Sequence, residues 1–408
     1  MGKDADRLEL RSVTDDEFPA FARSVGRNFG GEPSQPRIER LRKLIDIDRA
    51  FAVFDGDRIV ANSGAYTFDV SLPGGTTRGC AGVTIVGVAT DWRRRGLLNR
   101  MMRAILDQAR EREEPFAALY ASEAMIYGRF GFGIAAPHVE IVADTTRCRI
   151  ERPVGTDDVS LVDVPTAIAA FPAIHEAARR QRAGMMSWTD AWWRTVLEYD
   201  PPDDRDGRSP RLLALIPDRG FMTYRWKERF DHMTPNGEVE IQMLVATDPE
   251  AESALWEFAF SIDLTTKVSS FMRPPDDALL HLVDNRALVQ DRGSEHLYLR
   301  LVDLPAALTA RAYSADGEVA FTVTDATCPW NAGTWRLAVT DGTATCEKLD
   351  GHGDVALDVA ELASISLGGV RLDHLVRGRR ASVRRAETVR LVDRMFATER
   401  APWNPNEF

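Results

Sequence analysis

The chain has 408 residues, 44% of them hydrophobic, and a formal net charge of −11. That length suits two or three domains with a core each, and the acidic balance argues against nucleic acid as a partner. No apolar run approaches the roughly 20 residues that span a bilayer, and residues 1–6 lack the apolar stretch of a signal peptide, so a cytoplasmic protein without membrane contact is expected. Four cysteines without a CxxC pair and seven histidines without an HxxxH pair predict free thiols and no metal.

In chain order, residues 83–88 (Val-Thr-Ile-Val-Gly-Val) form a β-type run. Arg93-Arg94-Arg95-Gly96 then leads into Leu97, Leu98, Met101, Met102, Ile105, Leu106 and Ala109. These recur at helical spacing, while Arg100, Arg103, Asp107, Gln108 and Arg110 take the opposite face. A strand that turns through a basic, glycine-containing loop into a helix aims unpaired N–H groups and the positive end of the helix dipole at whatever enters. Gly96 removes a Cβ from the approach and the arginines supply charge-assisted bonds, so the loop reads as an anion site for a phosphorylated cofactor. Residues 116–121 read as a short buried strand. Ser122-Glu123 follows, then Ala124-Met125-Ile126-Tyr127-Gly128-Arg129-Phe130-Gly131.

Further on, Trp188, Trp192, Trp193 and Tyr199 form an aromatic cluster that either fills a core or lines a pocket. Residues 211–217, 221–230 and 238–246 read as strands. The last of these ends on Val245-Ala246-Thr247-Asp248, a second copy of Val88-Ala89-Thr90-Asp91. Pro249 stands at the first helical position behind an Asp248 cap. Counted from the shared aspartate, Glu250, Ala251, Glu252 and Ser253 replace Arg93, Arg94, Arg95 and Gly96, so charge is reversed and the second copy is expected to reject a pyrophosphate. From about Gly293 a third segment begins, with a helix over 304–313 and strands over 318–324, 334–340 and 343–347, the last two joined by the hairpin pair Asp341-Gly342. Helices are expected near 358–366 and over 382–398. Pro402 and Pro405 then forbid further helix, and Trp403 and Phe408 equip the extended tail to dock on an apolar surface.

The order of strand, basic turn, helix, strand and short tyrosine-bearing helix resembles the GCN5-related N-acetyltransferases (GNAT), whose Gln/Arg-x-x-Gly-x-Gly/Ala signature matches Arg93 to Leu98 except for Leu98 itself. Val86-Gly87-Val88-Ala89, Arg93 to Leu98, Ala121-Ser122-Glu123, Ile126 to Gly131 and the ending Glu407-Phe408 together resemble the enhanced intracellular survival (Eis) branch. The resemblance implies an α/β (α+β) chain: a catalytic GNAT domain over 1–150, a second GNAT-like domain with a degenerate cofactor site over 151–292, and a sterol-carrier-like α+β domain over 293–408. It implies that Val86, Gly87 and Val88 line the pantetheine arm of acetyl-CoA. Arg93, Arg94, Arg95, Gly96, Leu97, Leu98 and Asn99 would surround the pyrophosphate, with Ser122 and Glu123 continuing the site. Tyr127 would act as the acid toward the departing thiolate and the Phe408 carboxylate would help deprotonate the amine. Glu407 is a candidate for holding the substrate.

The implied activity is acetylation of a small cationic amine, aminoglycosides first, by a homo-oligomer that is a hexamer in the family. Lysine acetylation of proteins and non-enzymatic acyl-CoA or lipid binding are the alternatives.

Overall fold

In a computed structural model, which describes residues 7–408 and not the side chains of 294–296, the β-type runs join two sheets and a short ribbon. The reading made on residues 1–6 lies outside the described residues. The first part of the chain supplies β1 (Glu9–Ser12), β2 (Ala50–Asp55), β3 (Arg58–Ser71), β4 (Thr77–Val88), β5 (Phe116–Tyr120) and β6 (Gly133–Asp144). The middle supplies β7 (Ser160–Leu161), β8 (Leu212–Ile216), β9 (Gly220–Lys227), the ribbon β10 (Phe230–Asp231) and β11 (Thr234–Pro235), β12 (Gly237–Ala246), β13 (Thr265–Arg273) and β14 (Val289–Leu301). Twelve of these form one sheet in the order β1-β2-β3-β4-β5-β14-β6-β13-β12-β9-β8-β7.

The order shows an exchange of strands. Leu297–Leu301 of β14 pairs with β5, whereas Val289–Ser294 pairs with the far half of β6, whose other edge carries β13. Each of β6 and β14 thus runs from one module into the other. Val139, Ile141, Ala143 and Val289 pack in the second core, while Ala135, Ala136, Leu297 and Leu299 pack in the first. The boundary expected at 292–293 therefore falls inside a continuous strand. The passage between cores coincides with irregularities in the ladder, where the pairing of β14 with β6 shifts register between Ser294 and Leu297 and again between Leu297 and Tyr298.

The helix after β4, Leu97–Glu111, buries Leu97, Met101, Met102, Ile105, Leu106 and Ala109 as its spacing predicts. None of Trp188, Trp192, Trp193 and Tyr199 lines the main cleft; Trp193 packs in the core of the second module, whereas Trp192 joins the first, 5.0 Å from the Tyr66 ring, and Trp188 and Tyr199 are half-buried.

The third module is a five-stranded sheet, β17-β16-β15-β18-β19, from β15 (Gly317–Thr324), β16 (Gly333–Thr340), β17 (Thr343–Leu349), β18 (Val355–Asp358) and β19 (Ala381–Val383). Asp341 and Gly342 both take positive φ in the hairpin, as a two-residue turn of this kind requires. Two expectations are corrected. The helix at 304 stops at Thr309, and Ser382 lies not in a helix but in β19 opposite Ala356, so the last helix starts at Ala386. A ladder partner distant in sequence outweighs the local helical period there. The helix Val359–Ser366 rests directly on β6, where a Cβ on Gly133 would lie 1.8 Å from the Ala360 carbonyl oxygen. Only glycine fits there. Among the described residues no helix is long and apolar enough to cross a membrane.

Candidate active site

Parallel strands β4 and β5 pair only through Cys80–Gly82 and Phe116–Ala118. Beyond Gly82 the β5-facing edge of β4 has no strand partner among the described residues, and a wedge opens between them. Backbone groups from Val86 to Val88 at such an edge are available to an extended ligand, apart from the Val88 carbonyl, which already accepts from Arg93. The wedge is sharpened by a bulge. Ile85 sits at φ 49 where the pairing of β3 with β4 slips, a conformation that a β-branched residue adopts only under constraint. The constraint is Asn62, fully buried on β3, whose amide donates to the Ile85 carbonyl at 2.5 Å. Its own oxygen accepts from Asn28 at 2.7 Å and from Ser24 at 3.2 Å.

The wedge is part of a cleft of about 1630 Å³. At one end stands the anion loop. Gly96 caps Leu97–Glu111 at φ 77 with no side-chain cap on the helix, and space around its missing Cβ is open. The first N–H groups of that helix therefore face the cleft without a carboxylate to occupy them. Arg94 also takes positive φ, at 62. Arg93 folds back so that its Nε donates to the Val88 carbonyl at 3.4 Å. Val86, Gly87, Val88, Arg93, Arg94, Gly96, Leu97, Leu98, Asn99, Ser122 and Glu123 all line the cleft. Arg95 does not: its guanidinium lies 5.4 Å from the ring of buried Trp92, bracing the loop from outside.

Tyr127 ends the short helix Ala124–Tyr127 and lines the cleft, with its ring 6.3 Å from Phe132. Burial, and after it the charge of Glu123, push its phenol above the ordinary tyrosine value. The C-terminal strap reaches the same cleft. Phe408 packs its ring 4.9 Å from both Phe68 and Tyr120, close over Gly82, where a Cβ would come within 3.1 Å of it. Burial likewise raises the carboxyl of Glu407, beside it in the cleft wall.

Several lining residues escaped the sequence reading. Val25, Asn28 and Phe29 come from the helix Phe18–Asn28 and its cap. His138, Glu140 and Arg292 come from the shared strands, and Phe271 and Met272 from β13. Burial lowers the His138 imidazole to about 4, so it is neutral at physiological pH.

The second module repeats the wedge and closes it. β12 and β13 pair in parallel from Gly237 to Ile241 and from Thr265 to Ser270. Into the gap beyond reaches Arg273, 2% exposed, which donates to the Leu244 carbonyl at 2.6 Å and to Asp277 at 2.6 Å, and pairs with Glu252 at 3.2 Å. The helix Pro249–Phe260 is capped by Asp248, whose carboxylate accepts from the Ala251 N–H at 2.9 Å and is clasped by Arg219 at 2.8 and 3.0 Å. The register counted from the shared aspartate is corrected here. Asp91 sits in a turn six residues before its helix begins, whereas Asp248 is the cap itself, so the counterpart of Asp248 is Gly96. Pro249 behind a capping aspartate starts the helix at once, leaving no loop.

An acetyltransferase (GNAT) domain family matches residues 9–135, a second one matches residues 184–301, and a sterol carrier protein domain family matches residues 304–405. An uncharacterized N-acetyltransferase of Streptomyces avermitilis is 40% identical over 98% of this chain and 99% of its own length. N-acetyltransferase Eis of Mycobacterium tuberculosis is 28% identical over 96% of this chain and 97% of its own. The crystal structure of Eis1 from Mycobacterium abscessus superposes with a TM-score of 0.87 at 28% identity, covering 98% of this chain and 100% of that one. Similarity along the full length, on a fold whose first wedge alone stands open, makes this protein an acetyl-transferring enzyme of the Eis family of GCN5-related N-acetyltransferases.

Proposed function

We propose that the chain transfers the acetyl group of acetyl-CoA to a primary amine of a cationic, polyamine-type acceptor, aminoglycosides first. The observation that carries the reading is the open wedge between β4 and β5, with a basic, uncapped helix start at one end and Tyr127 and Phe408 along the same cleft. The roles follow the sequence reading, with Arg95 moved out of the cleft. Val86, Gly87 and Val88 hold the pantetheine arm. Arg93, Arg94, Gly96, Leu97, Leu98 and Asn99 hold the pyrophosphate, with Arg95 bracing the loop and Ser122 and Glu123 completing it. The catalytic module is 1–150, the second module 151–292 binds no cofactor, and 293–408 delivers the tail.

The chemistry follows from proton accounting. An alkyl ammonium with a pKa of roughly 10 must lose a proton before its nitrogen can attack the thioester carbonyl. Glu407 and the Phe408 carboxylate attract the cation, and Phe408 passes the proton on through water, because a carboxylate of pKa about 3.5 holds it poorly alone. As the new C–N bond forms, the C–S bond breaks and the thiolate takes the proton of Tyr127, while the second proton that the nitrogen sheds on becoming an amide returns through water to the Tyr127 phenolate. Raised by burial, that phenol stays protonated at neutral pH and is ready to donate. Within the same reading the enzyme works in the cytoplasm as a homohexamer.

The test is CoA release from acetyl-CoA with an aminoglycoside panel, a lysine peptide and buffer. Release that depends on aminoglycosides is the expected result. Release with the peptide alone would make the acceptor a protein lysine, and binding without release to any amine would leave a carrier of acyl-CoA.

A further inference from the structure

We infer that the closed wedge of the second module is the socket that holds the C-terminal strap in register, with Arg273 and Trp403 as positioning residues for turnover. This rests on the reading that Phe408 works in the first module's cleft. Met272 lies two residues past the last wedge pair of β13, at Ser270, and Tyr120 lies two residues past the last wedge pair of β5, at Ala118. The strap binds both of these equivalent places. Trp403 donates its indole N–H to the Met272 carbonyl at 2.8 Å and its backbone N–H to the Ala183 carbonyl at 2.8 Å. Its ring, almost fully buried, stacks 5.0 Å from the guanidinium of Arg273, the side chain that plugs the wedge. One residue on, Asn404 donates to the Tyr120 hydroxyl at 2.7 Å and accepts from the Met186 N–H at 3.0 Å. Tyr120 in turn donates to the Asn406 carbonyl at 3.0 Å. Before Trp403, Asp276 accepts from the Ala401 N–H at 2.9 Å and from Arg182 at 2.8 Å.

A strap with no secondary structure of its own, pinned at the second wedge and again at Tyr120, brings the Phe408 ring to the first wedge. A buried cation–π contact and an indole hydrogen bond fix where along the strap that register falls. The arginine that fills the gap is also the platform for the tryptophan.

The test uses the full chain. Trp403→Leu should speed release of the C-terminal residues by a carboxypeptidase about tenfold or more, as a locally opened segment does. It should leave acetyl-CoA affinity within about twofold, since the first wedge is untouched, and lower transfer by roughly 10²-fold, the cost of a misplaced reacting group. In a chain lacking residues 407–408 the same substitution should have no further effect on transfer. Arg182→Met, which removes the contact to Asp276, is the second variant should Trp403→Leu fail to fold by circular dichroism, with the same pattern at smaller size. Unchanged carboxypeptidase release, or a loss of transfer that persists without residues 407–408, would overturn the socket. Faster release with unchanged transfer would overturn the positioning role and the Phe408 assignment together. If no amine supports transfer at all, the carboxypeptidase rate still decides whether the socket holds the strap.

Discussion

Two wedges of one design meet opposite fates in this chain. In the first, β4 and β5 part after three residue pairs, a bulge at Ile85 turns the exposed edge, and glycine caps the helix that follows. In the second, an arginine bridges the parted strands and an aspartate, itself held by Arg219, caps the helix. The difference teaches that a binding site of this type is a set of backbone groups left without partners. The fold supplies the splay both times, and side chains decide whether the freed groups wait for a ligand or are satisfied from within. Arg219 holds the Asp248 carboxyl below the usual carboxylate range, so the second helix start keeps a carboxylate where the first has none.

The sharpest way to strain that comparison is chemical. Tyr127→Phe should lower turnover by about 10²- to 10⁴-fold, the range for loss of a general acid, with acetyl-CoA affinity unchanged by calorimetry. Retained turnover would remove Tyr127 from the reaction. Next in size, Gly96→Asp places a carboxylate at the first helix start, with Gly96→Asn as the control for the strain of a side chain at φ 77. A carboxylate at the helix start, opposed to a pyrophosphate, should weaken acetyl-CoA binding by roughly 10²-fold, about 2.7 kcal/mol. Affinity within twofold of the parent chain would mean that the helix start is not the phosphate site.

A smaller effect is expected from pH. Burial raises the Glu407 carboxyl, so on acidification it gains a proton, and loses its attraction for a cationic amine, at a higher pH than an exposed glutamate of about 4.3. The acid limb of kcat/KM should accordingly move to lower pH in Glu407→Gln, and an unmoved limb would assign it to another group. The smallest effect belongs to the second wedge. Arg219→Ala frees Asp248 but leaves Arg273 in place, so titration should still find one acetyl-CoA per chain. Two would show that the plug is not what closes the site.

Much of the first wedge was legible in the sequence because its parts are local. The helical spacing from Leu97 to Ala109, the glycine at the loop's end and the prolines of the strap each act within a few residues. The second copy was recognised by four residues, and its charge reversal was read in the wrong register. Where a helix starts is set by its cap, and Asp248-Pro249 places that start several residues earlier than the count from Asp91 implies. The remaining walls of the cleft were not legible at all. Phe29, His138, Glu140, Phe271 and Arg292 lie on four separate segments, and none carries a local mark of the others.

The sequence by itself determined the helix from Leu97 to Glu111, several strands, the basic turn before that helix and a tail that cannot be helical, since period, glycine, proline and caps act between neighbours in the chain. Only the tertiary structure decided that β14 lies between β5 and β6, that Asn62 holds the bulge at Ile85, that Arg273 closes the second wedge, and that Trp403 and Phe408 span the two. Each of these is a pairing between groups far apart in sequence, chosen by which buried donor, acceptor or apolar face remained to be satisfied once the sheet had formed.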